Sequence, residues 1–85
     1  MTKPIRLSGH ALHQLARRGV SEDEVVETIR TSPWQPAELD RLECRMDFSF
    51  RREWNGKFYE TKQVRPIFVE DADEIVVVTV YSYYF

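Results

Sequence analysis

The hydrophobic period of this chain changes once, and that change decides its fold class. From Ser8 to Thr31 the apolar residues recur at helical spacing, whereas from Leu42 to Phe50 they strictly alternate. A chain that switches from one period to the other is predicted to be α+β, with helices and strands in separate runs. Its 85 residues are the length of one domain, spanning 1–85.

The helical half carries its own punctuation. Ser8 can cap a first helix, whose apolar stripe is predicted to be Leu12, Leu15 and Ala16. Gly19 follows as its terminator, since glycine enters the left-handed region at no steric cost. Ser21-Glu22-Asp23-Glu24 reads as a capping box, with Val20 and Val25 placed to form a hydrophobic staple. Val25, Val26 and Ile29 give the second helix its buried face, and Thr31-Ser32-Pro33 stops it.

Residues 34–40 read as irregular. Then Leu42, Cys44, Met46, Phe48 and Phe50 alternate with polar residues, as a half-buried strand requires. Asn55-Gly56 predicts a type I′ hairpin turn. A two-residue loop would set Trp54 opposite Lys57, Arg51 opposite Glu60, Phe50 opposite Thr61 and Ser49 opposite Lys62. The returning strand, to about Val69, contains Pro66, where a bulge or interruption is expected. After the polar connection 70–74, Ile75 to Tyr84 reads as an interior strand. Regular alternation would put Val77, Thr79, Tyr81 and Tyr83 on one face and Val76, Val78, Val80, Ser82 and Tyr84 on the other. The expected order is ααβββ, two N-terminal helices on a small antiparallel sheet.

Composition narrows the compartment and the partners. The single cysteine, Cys44, cannot form an internal disulfide, and the N-terminal residues lack the apolar core of a leader, so a cytoplasmic protein is expected. No stretch approaches the ~18 apolar residues of a spanning helix, so no membrane partner is expected. Net charge is −2, which does not mark a general nucleic-acid binder. The charge is nevertheless segregated. Residues 1–20 hold four bases and no acid, 21–43 seven acids and two bases, 44–69 six bases and three acids, and 70–85 four acids and no base. Such blocks permit a local basic surface, although alternating solvated faces would produce them too.

The first helix holds the most chemically useful face. His10, His13 and Arg17 lie at i, i+3 and i+7, with Gln14 beside them. Histidine exchanges protons near neutral pH, and arginine grips phosphate with two parallel hydrogen bonds. The plain alternative is a solvated helix face. Lys62 and Arg65 would point to opposite faces of a regular strand, unless a bulge near Pro66 re-aims one of them. Thr79, Tyr81 and Tyr83 interrupt an apolar strand, and tyrosine can stack on a base or donate to a phosphate. Cross-strand aromatic packing explains them equally well. One cysteine and two histidines at this spacing give no standard zinc site, and the three glycines form no phosphate loop, so no metal or cofactor is expected.

Leu7-Ser8-Gly9-His10-Ala11, Arg17 to Val25, Lys62-Gln63-Val64-Arg65 and Val77-Val78-Thr79-Val80-Tyr81 together resemble a bacterial domain-of-unknown-function family. That family is similar to BrnT-type and RelE-type toxins of the barnase/RelE-like ribonuclease fold. The resemblance covers roughly residues 5–83. It implies metal-independent RNA cleavage, in which the ribose 2′-hydroxyl attacks the adjacent phosphate. Carried onto this chain, it implies His10 as the acid or base, Arg17, Lys62 and Arg65 as phosphate stabilisers, and Thr79 and Tyr81 as positioning groups. With the helix face and last strand read above, the expected catalytic set is His10, Arg17, Lys62 and Arg65, and the expected substrate-binding set is His13, Thr79, Tyr81 and Tyr83. The resemblance also implies RNA as substrate and a cognate antitoxin as partner. The chain departs from the basic RelE-type toxins in its net charge of −2. The competing expectation is a non-catalytic interaction module that keeps the fold and binds a protein through a sheet edge or the aromatic C-terminus. A homodimer built on an edge strand is compatible with either.

Overall fold

Two helices and six strands, described over residues 3–85 in a computed structural model, form an α+β fold around one mixed sheet. Strand β1 (Ile5–Leu7) comes first, then helices α1 (Gly9–Arg18) and α2 (Glu22–Thr31). Two short strands, β2 (Gln35–Pro36) and β3 (Leu42–Glu43), precede a long hairpin of β4 (Met46–Trp54) and β5 (Lys57–Glu70). Strand β6 (Ile75–Tyr84) closes the sheet. The order is β1-β6-β5-β3-β2, with β4 also on β5, and β1 runs parallel to β6. The ααβββ expectation is therefore corrected: a strand precedes the helices, and the sheet is mixed. Three residues carry too little alternation to be read as a strand, and β1 exists because β6 offers an edge to pair with.

Local signals set the helix ends as expected. The Ser8 hydroxyl accepts from the Ala11 N–H at 3.1 Å. Gly19 adopts φ 69°, and the N–H groups of Gly19 and Val20 donate to Ala16 and Leu15 carbonyls in a Schellman closure. Both arms of the Ser21/Glu24 capping box form, at 3.1 and 2.9 Å. The buried face of α1 differs from the expected one. Ala11 and Gln14 are buried, while Leu12 is 46% exposed and Ala16 is also exposed. The cause is the sheet edge. Strand β1 stops at Leu7, so β6 continues with unpaired N–H groups, and Gln14 turns inward to accept from Val80 at 2.8 Å.

The strand expected through Leu42–Phe50 breaks at Cys44-Arg45 into β3 and β4. Pro66 lies opposite the break. Thr61 and Phe85 exchange both backbone hydrogen bonds, so by alternation Arg65 and Ile67 also bond toward β6. The Pro66 nitrogen then faces the gap between β3 and β4, where no N–H is needed.

Two bulges alter the expected registers. The I′ turn forms, with φ 52° at Asn55 and 83° at Gly56, and Trp54 pairs with Lys57. Arg51, at φ 49°, then marks a bulge, so Ser49 opposes Thr61 and Phe48 opposes Lys62. Arg51 still reaches Glu60 at 3.5 Å. The bulge or interruption expected at Pro66 does not occur in β5, which runs unbroken from Lys57 to Glu70 with Pro66 opposite Val80; the second bulge is instead at Val78 of β6, opposite Ile67–Phe68, and shifts β6 by one residue. Val77 thereby joins Val80 on the helix-covered face instead of Thr79, Tyr81 and Tyr83. That face, with Val64, Phe68 and Ile75, packs against Ala11, Val20, Val25 and Ile29 as the core. Among the described residues, no helix is long and apolar enough to cross a membrane.

Candidate functional site

Helix α1 and the C-terminal end of β6 enclose a cleft of about 590 Å³. It is lined by His10, His13, Gln14, Arg17, Arg18, Trp54, Ser82 and Tyr84. From α1 these are positions i, i+3, i+4, i+7 and i+8, a complete helical face. The helix is held over the strand at both ends. Ser8 N–H donates to the Val77 carbonyl at 2.9 Å, and Ser82 and Tyr84 hydroxyls donate to the Arg18 carbonyl at 2.8 and 2.6 Å. Trp54 reaches the cleft from the hairpin, stacked on Tyr84 with ring centres 5.1 Å apart. This stack passes over Gly19, where a Cβ would lie 2.7 Å from Trp54 and also collide with Tyr84.

No carboxylate lines this cleft, and neither Arg17 nor Arg18 is ion-paired among the described residues. Arg18 lies over the Tyr81 ring, 5.2 Å from its centre. Burial pushes the Tyr84 phenol above its ordinary value, so Tyr84 is a donor at neutral pH.

The site residues inferred from sequence divide among three places. His10, His13 and Arg17 meet in the α1–β6 cleft. Lys62 does not join them. It is 4% exposed, donates to Glu24 and to the Gly19 carbonyl at 2.8 Å each, and belongs to the packing of helices on sheet. Arg65, Thr79, Tyr81 and Tyr83 lie on the opposite face of the sheet, because Lys62 and Arg65 keep opposite sides. The bulge falls in β6 rather than between those two residues, so it re-aims neither.

On that opposite face, Arg65, Thr79 and Tyr81 line a second groove of about 560 Å³ with Leu39, Arg41 and Glu43. Arg65 is already committed there. It grips Glu43 with two bonds of 3.0 and 2.9 Å and donates to the Tyr83 hydroxyl at 3.2 Å. These bonds raise its pKa and hold the Glu43 carboxyl below the usual range. A catalytic set combining His10, Arg17, Lys62 and Arg65 is thus not assembled by this fold.

Cys44 is buried, and desolvation followed by the nearby Glu43 charge pushes its thiol up to about 12, which removes it as a nucleophile. Of the cleft residues not named from sequence, Arg18 was legible as the i+8 position of the histidine face. Trp54, Ser82 and Tyr84 were not: alternation sets Ser82 and Tyr84 on the face of Val80, but only the packing of α1 over that face and the Trp54–Tyr84 stack make the three into cleft residues.

No protein-family model matches this chain, and neither a curated protein nor a solved structure is significantly similar to it.

Proposed function

We propose that the chain is a metal-independent endoribonuclease acting in the α1–β6 cleft. One observation carries this reading: two histidines and two unpaired arginines line a single concave surface that contains no carboxylate. Such a surface favours a phosphodiester, and it lacks the carboxylate oxygens on which divalent cations are usually held. One histidine takes the proton of the ribose 2′-hydroxyl as it attacks phosphorus. The other protonates the departing 5′-oxygen, leaving a 2′,3′-cyclic phosphate and a 5′-hydroxyl. Arg17 and Arg18 stabilise the charge that builds on the non-bridging oxygens. The resemblance to BrnT-type and RelE-type toxins supports the same chemistry, a cytoplasmic site of action and an antitoxin as natural partner.

The test is cleavage of mixed-sequence RNA in EDTA. Wild type should give discrete products ending in cyclic phosphate, and His10→Ala and His13→Ala should each lose roughly 10²–10⁴-fold in rate while melting normally. Equal cleavage by all three proteins would remove the site.

A second reading rests on a separate observation. Arg65 is saturated by Glu43 and Tyr83, and Phe58, Tyr83 and Phe85 are exposed aromatics. A protein-interaction module of the same fold would use such residues at an interface. An inactive but folded wild type would favour it.

A further inference from the structure

Gln14 is the anomalous residue of the cleft. It sits on a helix face with exposed His10, His13 and Arg17 and half-buried Arg18, yet it is only 8% exposed. Its amide orientation is fixed by chemistry. The Val80 backbone N–H is a donor, so the Gln14 atom 2.8 Å away must be the carbonyl oxygen Oε1. The NH₂ group makes no hydrogen bond to any described residue. No buried side-chain nitrogen or oxygen among the described residues lacks a partner, so Nε2 keeps contact with solvent. Gln14 lines the cleft, with His10 one turn before it and Arg17 and Arg18 one turn after, so the cleft is the solvent-filled space beside this amide.

We infer that the Gln14 side-chain amide is a phosphate-binding group, donating from Nε2 to a non-bridging oxygen of the scissile phosphodiester. This inference rests on the ribonuclease reading above. The physical case is preorganisation. An amide whose oxygen is locked to the sheet presents its two N–H bonds in a set direction, and a donor that need not reorganise stabilises developing charge most effectively. The N–H of Val80, which no neighbouring strand pairs, thus does two things. It draws Gln14 into the sheet edge, and it aims the other end of the amide.

The test is a titration of ¹⁵N-labelled protein with a single-stranded 2′-deoxy trinucleotide, which carries phosphodiesters but no nucleophile. Gln14→Glu retains an acceptor for Val80 and lacks the amide, so it should fold normally, and the cross-peak it loses is that of the Gln14 NH₂ group. That cross-peak should move saturably in the wild type, together with the ring signals of His10 and His13. Gln14→Glu should bind at least about tenfold more weakly. Movement of the histidine signals with a stationary Gln14 amide would overturn the inference and leave the ribonuclease reading standing. Wild-type affinity in Gln14→Glu would overturn it as well. If no cleft signal moves, the reading of the cleft and the role of Gln14 fall together.

Discussion

Lys62 lies 2.8 Å from Glu24, and the same ammonium donates to the Gly19 carbonyl, so one buried side chain of β5 fastens the end of α1 and the start of α2 to the sheet. Glu24 is also the capping-box residue, accepting from Ser21 N–H at 2.9 Å. Burial alone would raise its carboxyl pKa, but the hydrogen bonds from Lys62 and Ser21 outweigh burial and lower it. Removing one partner of a buried pair strands the other's charge. Lys62→Met should cost about 3 kcal/mol of stability, read from urea unfolding. Its cleavage rate per folded molecule should equal that of wild type. A Lys62→Met protein with unchanged stability and lost activity would return Lys62 to the catalytic set.

Gly19 is constrained twice, by φ 69° and by Trp54 and Tyr84 occupying the space a Cβ would need. Gly56 is also left-handed, at φ 83°, but has open space around it. Gly19→Ala should therefore cost about 2–5 kcal/mol, combining backbone strain with overpacking. Gly56→Ala should cost only about 1 kcal/mol, from strain alone. Thermal melts of the two variants side by side check this. Equal losses would mean that the aromatic stack yields to the new methyl.

The Arg65 hydrogen bonds hold the Glu43 carboxyl below the usual carboxylate range, against the opposing pull of burial. A carboxyl with a depressed folded pKa contributes stability above its unfolded value, ~4.3, and that contribution disappears as pH falls through the folded value. Glu43→Gln should be less stable than wild type at neutral pH, and the gap should close below about pH 4. Denaturant midpoints across this range give the answer. A gap that stays constant with pH would show that the lost packing, not the charge, mattered.

Among the described residues Arg17 and Arg18 have no acidic partner, so each should release counterions when a strand binds. Affinity for a single-stranded 2′-deoxy oligonucleotide should fall with salt. Arg17→Ala and Arg18→Ala should each flatten the slope of log affinity against log salt by about 0.7. Arg30→Ala, on α2 and bonded to the Lys3 carbonyl, should leave the slope unchanged. Identical slopes in all three variants would place the nucleic-acid contact elsewhere.

What the sequence determined by itself was local. The capping box, the glycine end of α1, the Asn55-Gly56 turn and the shared face of His10, His13 and Arg17 each depend on residues within about two helical turns, and each is present. What only the tertiary structure decided follows from partners distant in the chain. Strand β1 exists because β6 has an edge to fill. Gln14 is buried because Val80 has an N–H to satisfy, and Lys62 is buried because Glu24 and a helix carbonyl meet above it. The bulges at Arg51 and Val78 moved side chains between faces, since a one-residue slip reverses the alternation on which strand reading depends. A period of two specifies which residues share a face only until the first bulge. Beyond it, the hydrogen-bonding demands of the neighbouring strand and helix set which side each residue takes.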